Sequence, residues 1–206
     1  MKVGIPSEIK AQESRVGLTP NSVQQLTNHG HEVLVENNAG FGAGFENADY
    51  EKAGANIASS AADVFNDSDM IVKVKEPQSE EVNMLRENQI LFTYLHLSAA
   101  PELTKGLVDS KSICIAYETV TDKNNRLPLL APMSAVAGRM SIQAGAHCLE
   151  KPQGGRGLLI GGAPGVNPGN VLILGGGVVG ENAAVIATGM QAKVHIVDKS
   201  ETRLNQ

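Results

Sequence analysis

The stretch that most constrains this chain lies near its end. Asn170–Leu174 is a short apolar run, Gly175-Gly176-Gly177-Val178-Val179-Gly180 follows it, and Lys193–Val197 is a second apolar run closed by Asp198. An apolar run bounded by glycine suits a parallel strand buried on both faces. Gly175, Gly177 and Gly180 have the G-x-G-x-x-G spacing, in which the three glycines allow a tight turn, close approach of backbone to a pyrophosphate, and close packing of helix on strand. The phosphates would lie at the helix N-terminus, where unpaired N–H groups and the positive end of the macrodipole favour an anion. Asp198 follows Gly180 by 18 residues, a distance at which an acid can accept hydrogen bonds from an adenosine ribose. Its carboxylate would repel a 2′-phosphate, so NAD is expected in preference to NADP. Lys199 and Arg203 read as solvated charges, with a contact to the adenosine end as the other reading of Arg203.

Upstream, strand-like runs alternate with helical ones. Strands are expected at Lys2–Pro6, His31–Glu36, Met70–Lys75, Ile90–Leu95 and Ser112–Thr119. Helices are expected from Pro20, with Thr19 as cap, to Gly30, and at Asn47–Ala53, Ala61–Phe65, Ser79–Asn88 and Pro101–Asp109. A further helix, capped by Ser134 and rich in small residues, runs to about Glu150. This alternation implies crossover connections and an α/β fold. The expected architecture is two doubly wound parallel-sheet, Rossmann-like domains, the second incomplete at the C-terminus. The boundary is placed at a proline-rich stretch near residue 128, giving a substrate domain over 1–128 and the first part of an NAD-binding domain over 129–206. A dinucleotide fold needs two mononucleotide halves, and Gln206 follows soon after the second strand of the first half. The chain alone is therefore expected to show no turnover.

Composition narrows the partners. A formal charge of −5 without a basic cluster argues against nucleic acid and anionic membrane surfaces. No run reaches membrane-spanning length, and the start has no signal-peptide pattern. Cys114, in an expected strand, and Cys148, in an expected helix, read as buried small apolar residues of a protein in the reducing cytoplasm. No histidine or cysteine cluster suggests a metal, and no nucleophile elbow suggests a hydrolase.

In open parallel sheets ligands bind beyond the carboxyl ends of the strands. That rule selects Arg15 after the first strand, Lys75 at the end of Met70–Lys75, His96 directly after Ile90–Leu95, and Glu118 near the end of Ser112–Thr119. Arg15 offers a guanidinium fork for a carboxylate and Lys75 a point charge for a second oxygen. His96 is suited to exchanging protons near neutral pH. The bland reading of each is a solvated charge or a hydrogen-bonded histidine.

Gly4-Ile5-Pro6-Ser7-Glu8-Ile9-Lys10 with Glu13–Pro20, Val72–Pro77, Phe92–Leu97, Ala131–Arg139 and the glycine stretch resembles alanine dehydrogenase across the whole chain. The resemblance implies reversible oxidative deamination of L-alanine to pyruvate and ammonia with NAD, by a homo-hexamer. It implies that Arg15 and Lys75 hold substrate, that His96 is the acid/base, and that Ser134, Val178, Asp198 and Arg203 lie at cofactor positions, together with Gly175, Gly177, Val179 and Gly180 of the glycine turn. Members of that family continue beyond this length, with a second catalytic aspartate. Competing readings are the nucleotide-binding part of a proton-translocating transhydrogenase, whose relatives lack Leu95-His96-Leu97, and a non-catalytic NAD-binding fragment.

Overall fold

The computed structural model describes residues 1–205, and the chain divides into two compact units, 1–120 and 121–206.

The first unit holds β1 (Lys2–Ile5), α1 (Pro20–Asn28), β2 (Glu32–Glu36), α2 (Asn47–Lys52), β3 (Asn56–Ala58), α3 (Ala61–Asp67), β4 (Met70–Val72), α4 (Ser79–Val82), β5 (Ile90–Thr93), α5 (Pro101–Ser110) and β6 (Ile113–Ala116). Its six strands are all parallel, in the order β3-β2-β1-β4-β5-β6. One apolar cluster joins Ile5, Val33 and Val35 to Val23 of α1 and Tyr50 of α2. The other joins Ile71 and Leu91 to Val64 and Phe65 of α3 and Leu107 of α5. Strands covered on both faces by helices give the doubly wound layering, and each large side chain so buried stabilises by about 1.5–3 kcal/mol. The order runs outward in two directions from the β1–β4 pair. A crevice therefore opens beyond the carboxyl ends of those two strands.

Local chemistry sets most of the boundaries. Thr19 is extended and accepts from Ser22 N–H at 3.4 Å, Pro20 fills the first helical turn, and Gly30, at φ +80°, ends the connection. The expected helix over Ser79–Asn88 is shorter: α4 is a single turn, closed by a capping box between Gln78 and Glu81. The expected strands at Met70–Lys75 and Ser112–Thr119 also stop early. Pairing of β4 ends at Val72, and β6 gives way to a 3-10 turn over Tyr117–Thr119. β3, a strand of three residues, has no counterpart among the expected strands.

The second unit holds α6 (Ala131–Cys148), β7 (Asn170–Leu174), α7 (Val178–Gly189), β8 (Lys193–Val197) and α8 (Glu201–Leu204), with β7 and β8 parallel. α6 starts at Ala131, three residues before the expected cap, because Pro132 is placed in the first turn; Ser134 lies inside the helix. Gly138 lets α6 approach α7: a Cβ there would lie 2.2 Å from the Val179 carbonyl oxygen. Ile142, Ile173, Ala183 and Ala187 form this unit's apolar core; Cys148, expected to be buried, is exposed at the end of α6, and Cys114 of β6 is only half-buried. No helix among the described residues is long and apolar enough to cross a membrane.

Candidate functional site

In the first unit, the loop after β1 and the segment after β4 meet at the crevice. Gly17 permits this contact, since a Cβ on it would lie 2.4 Å from the Val72 carbonyl oxygen. Arg15 is held by Glu13 through two bonds, Nε to Oε1 at 2.8 Å and Nη2 to Oε2 at 2.6 Å. This fork-to-fork geometry orients the guanidinium. The Glu13 carboxyl is drawn down to about 2, foremost by its hydrogen bond with Arg15 and further by the charge of Lys75. Glu13 and Glu8 in turn hold the Arg15 guanidinium more firmly protonated.

Lys75 lies three residues past the end of β4, half-buried, with its carbonyl accepting from Thr93 Oγ1 at 2.9 Å. Its backbone N–H points at Glu8 Oε1 at 3.4 Å, and the same oxygen accepts from Val74 N–H at 2.6 Å.

His96 is exposed and left-handed, at φ 51° and ψ 37°, at the start of a 3-10 turn over Leu97–Ala99. Two contacts hold it. The Glu118 carboxylate accepts the N–H groups of Leu95 and His96, and the Tyr94 ring stacks on the imidazole at 5.9 Å and 11°. Burial pushes the Tyr94 hydroxyl up against the pull of Arg15, which places that ring within reach of the guanidinium's charge. Although burial opposes it, Lys10 and the charge of His96 keep the Glu76 carboxyl below the usual range.

Arg15, Lys75 and His96 thus gather at one rim, linked through Glu13 and Tyr94. Glu118, a candidate on position alone, uses its carboxylate to hold the backbone N–H groups of Leu95 and His96. Glu13 and Tyr94 were missed as individuals, although a carboxylate two residues before Arg15 was a readable signal. The set can bind a small carboxylate through the guanidinium, polarise a neighbouring oxygen through the ammonium, and exchange a proton through the imidazole.

In the second unit the glycine turn has the geometry its spacing requires. Gly175 is at φ +103°, and a Cβ on Gly180 would lie 1.8 Å from the Gly175 carbonyl oxygen. No side chain caps α7, whose N-cap is Gly177, so its first N–H groups face outward toward any anion. Asp198 accepts from Gly176 N–H at 2.6 Å and Ser200 N–H at 2.7 Å, and those two bonds hold its carboxyl below the ordinary range. Arg203 Nη1 lies 3.8 Å from Asp198.

Two clefts meet at this turn. One, of about 470 Å³, is lined by Ser134, Gly175, Gly177, Val178, Val179 and Gly180. The other, of about 670 Å³, is lined by Gly175, Asp198, Lys199, Ser200 and Arg203. All eight candidate cofactor residues line one or the other, and both share Leu174 and Gly175. An uncapped helix start, a glycine turn open beside it and an acid at the end of β8 fit a dinucleotide.

Comparison with known proteins identifies one family over both units. Residues 4–137 match the family model described as alanine dehydrogenase/PNT, N-terminal domain, and residues 141–206 match the alanine dehydrogenase/PNT, C-terminal domain. The chain is 57% identical over 204 residues to the alanine dehydrogenase of Halomonas elongata and 54% identical over 206 residues to that of Bacillus subtilis. These alignments cover 99% and 100% of this chain but 55% and 54% of the relatives, so the chain spans about half of their length. A solved L-alanine dehydrogenase superposes with a TM-score of 0.90 at 54% identity, covering 100% of this chain and 56% of that one. A transhydrogenase from Sinorhizobium meliloti, at 24% identity and TM-score 0.80 over 100% of this chain and 61% of its own, shares the fold.

Proposed function

Since the chain belongs to the alanine dehydrogenase/PNT family, we propose that it carries the substrate unit, placed at 1–128 by its sequence, and the first part of the NAD-binding unit of an alanine dehydrogenase. The reaction is reversible: L-alanine, NAD+ and water give pyruvate, ammonium, NADH and a proton. The observation that carries this reading is the gathering of Arg15, Lys75 and His96 on the carboxyl rim of a sheet whose strand order reverses there.

Bound NAD supplies the acceptor for the hydride that leaves the alanine Cα. The chain's own residues do the rest. Arg15, oriented by Glu13, takes the substrate carboxylate through its guanidinium. Lys75 faces the oxygen that pyruvate carries at C2 and stabilises charge as it develops there. Loss of hydride leaves an imine, to which water adds. His96 takes a proton from that water and returns one to the departing nitrogen, so that ammonia leaves and the ketone remains. Positioning by these three side chains supplies much of the rate, because the hydride chemistry belongs to the cofactor.

On the cofactor side Gly177, Val178 and Val179 offer backbone N–H groups to the pyrophosphate, and Asp198 takes the adenosine ribose. Gly175 and Gly180 shape the turn, while Ser134 and Arg203 flank the clefts. The enzyme so described works as a cytoplasmic homo-hexamer. Its alternative is a transhydrogenase nucleotide-binding part, which binds no amino acid; His96 together with Lys75 and Arg15 favours the dehydrogenase.

The test is binding of each ligand to the chain, by calorimetry. Pyruvate binding that is lost in Arg15→Gln, together with NAD binding that survives it, is the expected result. NAD binding without any pyruvate binding would favour the transhydrogenase reading.

A further inference from the structure

Next to the proposed substrate site lies a buried ionic group that none of these chemical steps uses. The side chains of Glu8, Lys73 and Glu81 are 1%, 1% and 2% exposed, and Lys73 Nζ lies 3.2 Å from Glu8 and 2.6 Å from Glu81. Removing such charges from water is costly, and apolar residues of the same volume are often at least as stable. A network of this kind returns placement more readily than stability.

Its location says what is placed. Glu8 belongs to the loop after β1 and precedes Arg15 by seven residues. Lys73 belongs to the segment after β4 and precedes Lys75 by two. Glu81 lies in α4, where its other oxygen accepts from Gln78 N–H at 2.8 Å. Glu8 turns both carboxylate oxygens on the β4 segment: Oε2 faces Lys73, and Oε1 accepts from Val74 and Lys75 N–H. One carboxylate therefore ties the loop that carries Arg15 to the segment that carries Lys75, across the point where strand order reverses.

The geometry points to Glu8 as a positioning residue that, anchored by Lys73 and Glu81, sets the separation of the Arg15 guanidinium from the Lys75 ammonium and so the fit of a short 2-oxo acid. This inference rests on the reading of the rim as a pyruvate site. Glu8 itself is shut away from that ligand, so its effect is exerted through the two basic residues.

The test compares Glu8→Gln and Glu8→Asp with the wild-type chain, measuring pyruvate affinity by calorimetry and amide hydrogen exchange by NMR. Protection of Leu91 in β5 reports whether the first unit is folded. With Leu91 still protected, Glu8→Gln should speed exchange at Val74 and weaken pyruvate at least about tenfold. Glu8→Asp, which keeps the charge, should recover part of both. Unchanged exchange at Val74, or a pyruvate affinity within twofold of wild type in folded Glu8→Gln and Glu8→Asp, overturns the assignment. A wild-type chain that binds no pyruvate removes the functional reading and this inference with it, and shows itself before any substitution is made.

Discussion

Oε1 of Glu118 accepts the backbone N–H of His96 at 2.7 Å, which makes a carboxylate from the far end of β6 the anchor of the histidine loop. The same carboxylate takes the N–H of Leu95 at 3.1 Å, and His96 keeps a left-handed backbone that costs a non-glycine residue about 1–2 kcal/mol. Hydrogen bonds to a charged group, worth about 1.5–3 kcal/mol, offset that cost. Glu118→Ala should destabilise the first unit by about that amount in urea titration and move the His96 ring resonances, with Glu118→Gln between it and wild type. A loss smaller than about 0.5 kcal/mol would mean that the loop holds itself.

Lys73 places its ammonium between two buried carboxylates, so its removal leaves both without that charge. Lys73→Met should cost about 3–5 kcal/mol by urea unfolding, and adding Glu8→Gln with Glu81→Gln should recover much of it. Burial already pushes the Glu81 carboxyl up against the pull of Lys73. A triple variant no more stable than Lys73→Met alone would contradict this account.

The Glu13–Arg15 pair has a sign that can be checked by titration. The folded Glu13 carboxyl is depressed from its ordinary 4.5 to about 2. A depressed carboxylate contributes stability that is complete above the ordinary value and is lost as pH falls from 4.5 toward 2. Carbon-13 NMR should find the Glu13 midpoint near 2 in the wild type, and Arg15→Gln should return it toward 4.5. A midpoint unmoved by that substitution would remove Arg15 as its cause.

Gly180 is the tightest contact in the nucleotide turn. Gly180→Ala would put a methyl 1.8 Å from the Gly175 carbonyl oxygen, so α7 must shift away from β7. Overpacking of this kind costs about 1–3 kcal/mol, and NAD affinity measured by calorimetry should fall at least about tenfold as the helix start leaves its place. Gly189→Ala, where a Cβ meets nothing within 4 Å, should leave NAD affinity unchanged.

How much of this was readable depended on how local the physics was. The glycine turn, α7 and Asp198 could be placed because spacing alone encodes a strand, a turn and a helix start. Arg15, Lys75 and His96 followed from one rule about strand ends, and the rule tolerated β4 stopping three residues short of Lys75. β3 was invisible because three residues with one buried side chain carry no periodicity. The run from Ser79 to Asn88 looked helical by composition, yet only its capped first turn is helical. Glu8 and Glu118 could not be assigned their partners, since both act on backbone N–H groups far away in sequence, and pairings of that kind leave no pattern along the chain.

The most direct test of the central claim is to titrate the chain with pyruvate while following the His96 ring by NMR, with NAD binding measured on the same sample. A pyruvate-dependent shift at His96 that vanishes in Arg15→Gln and Lys75→Gln, with NAD affinity intact, is the predicted result. A His96 resonance that stays still at saturating pyruvate, in a chain that still binds NAD, would contradict the dehydrogenase reading.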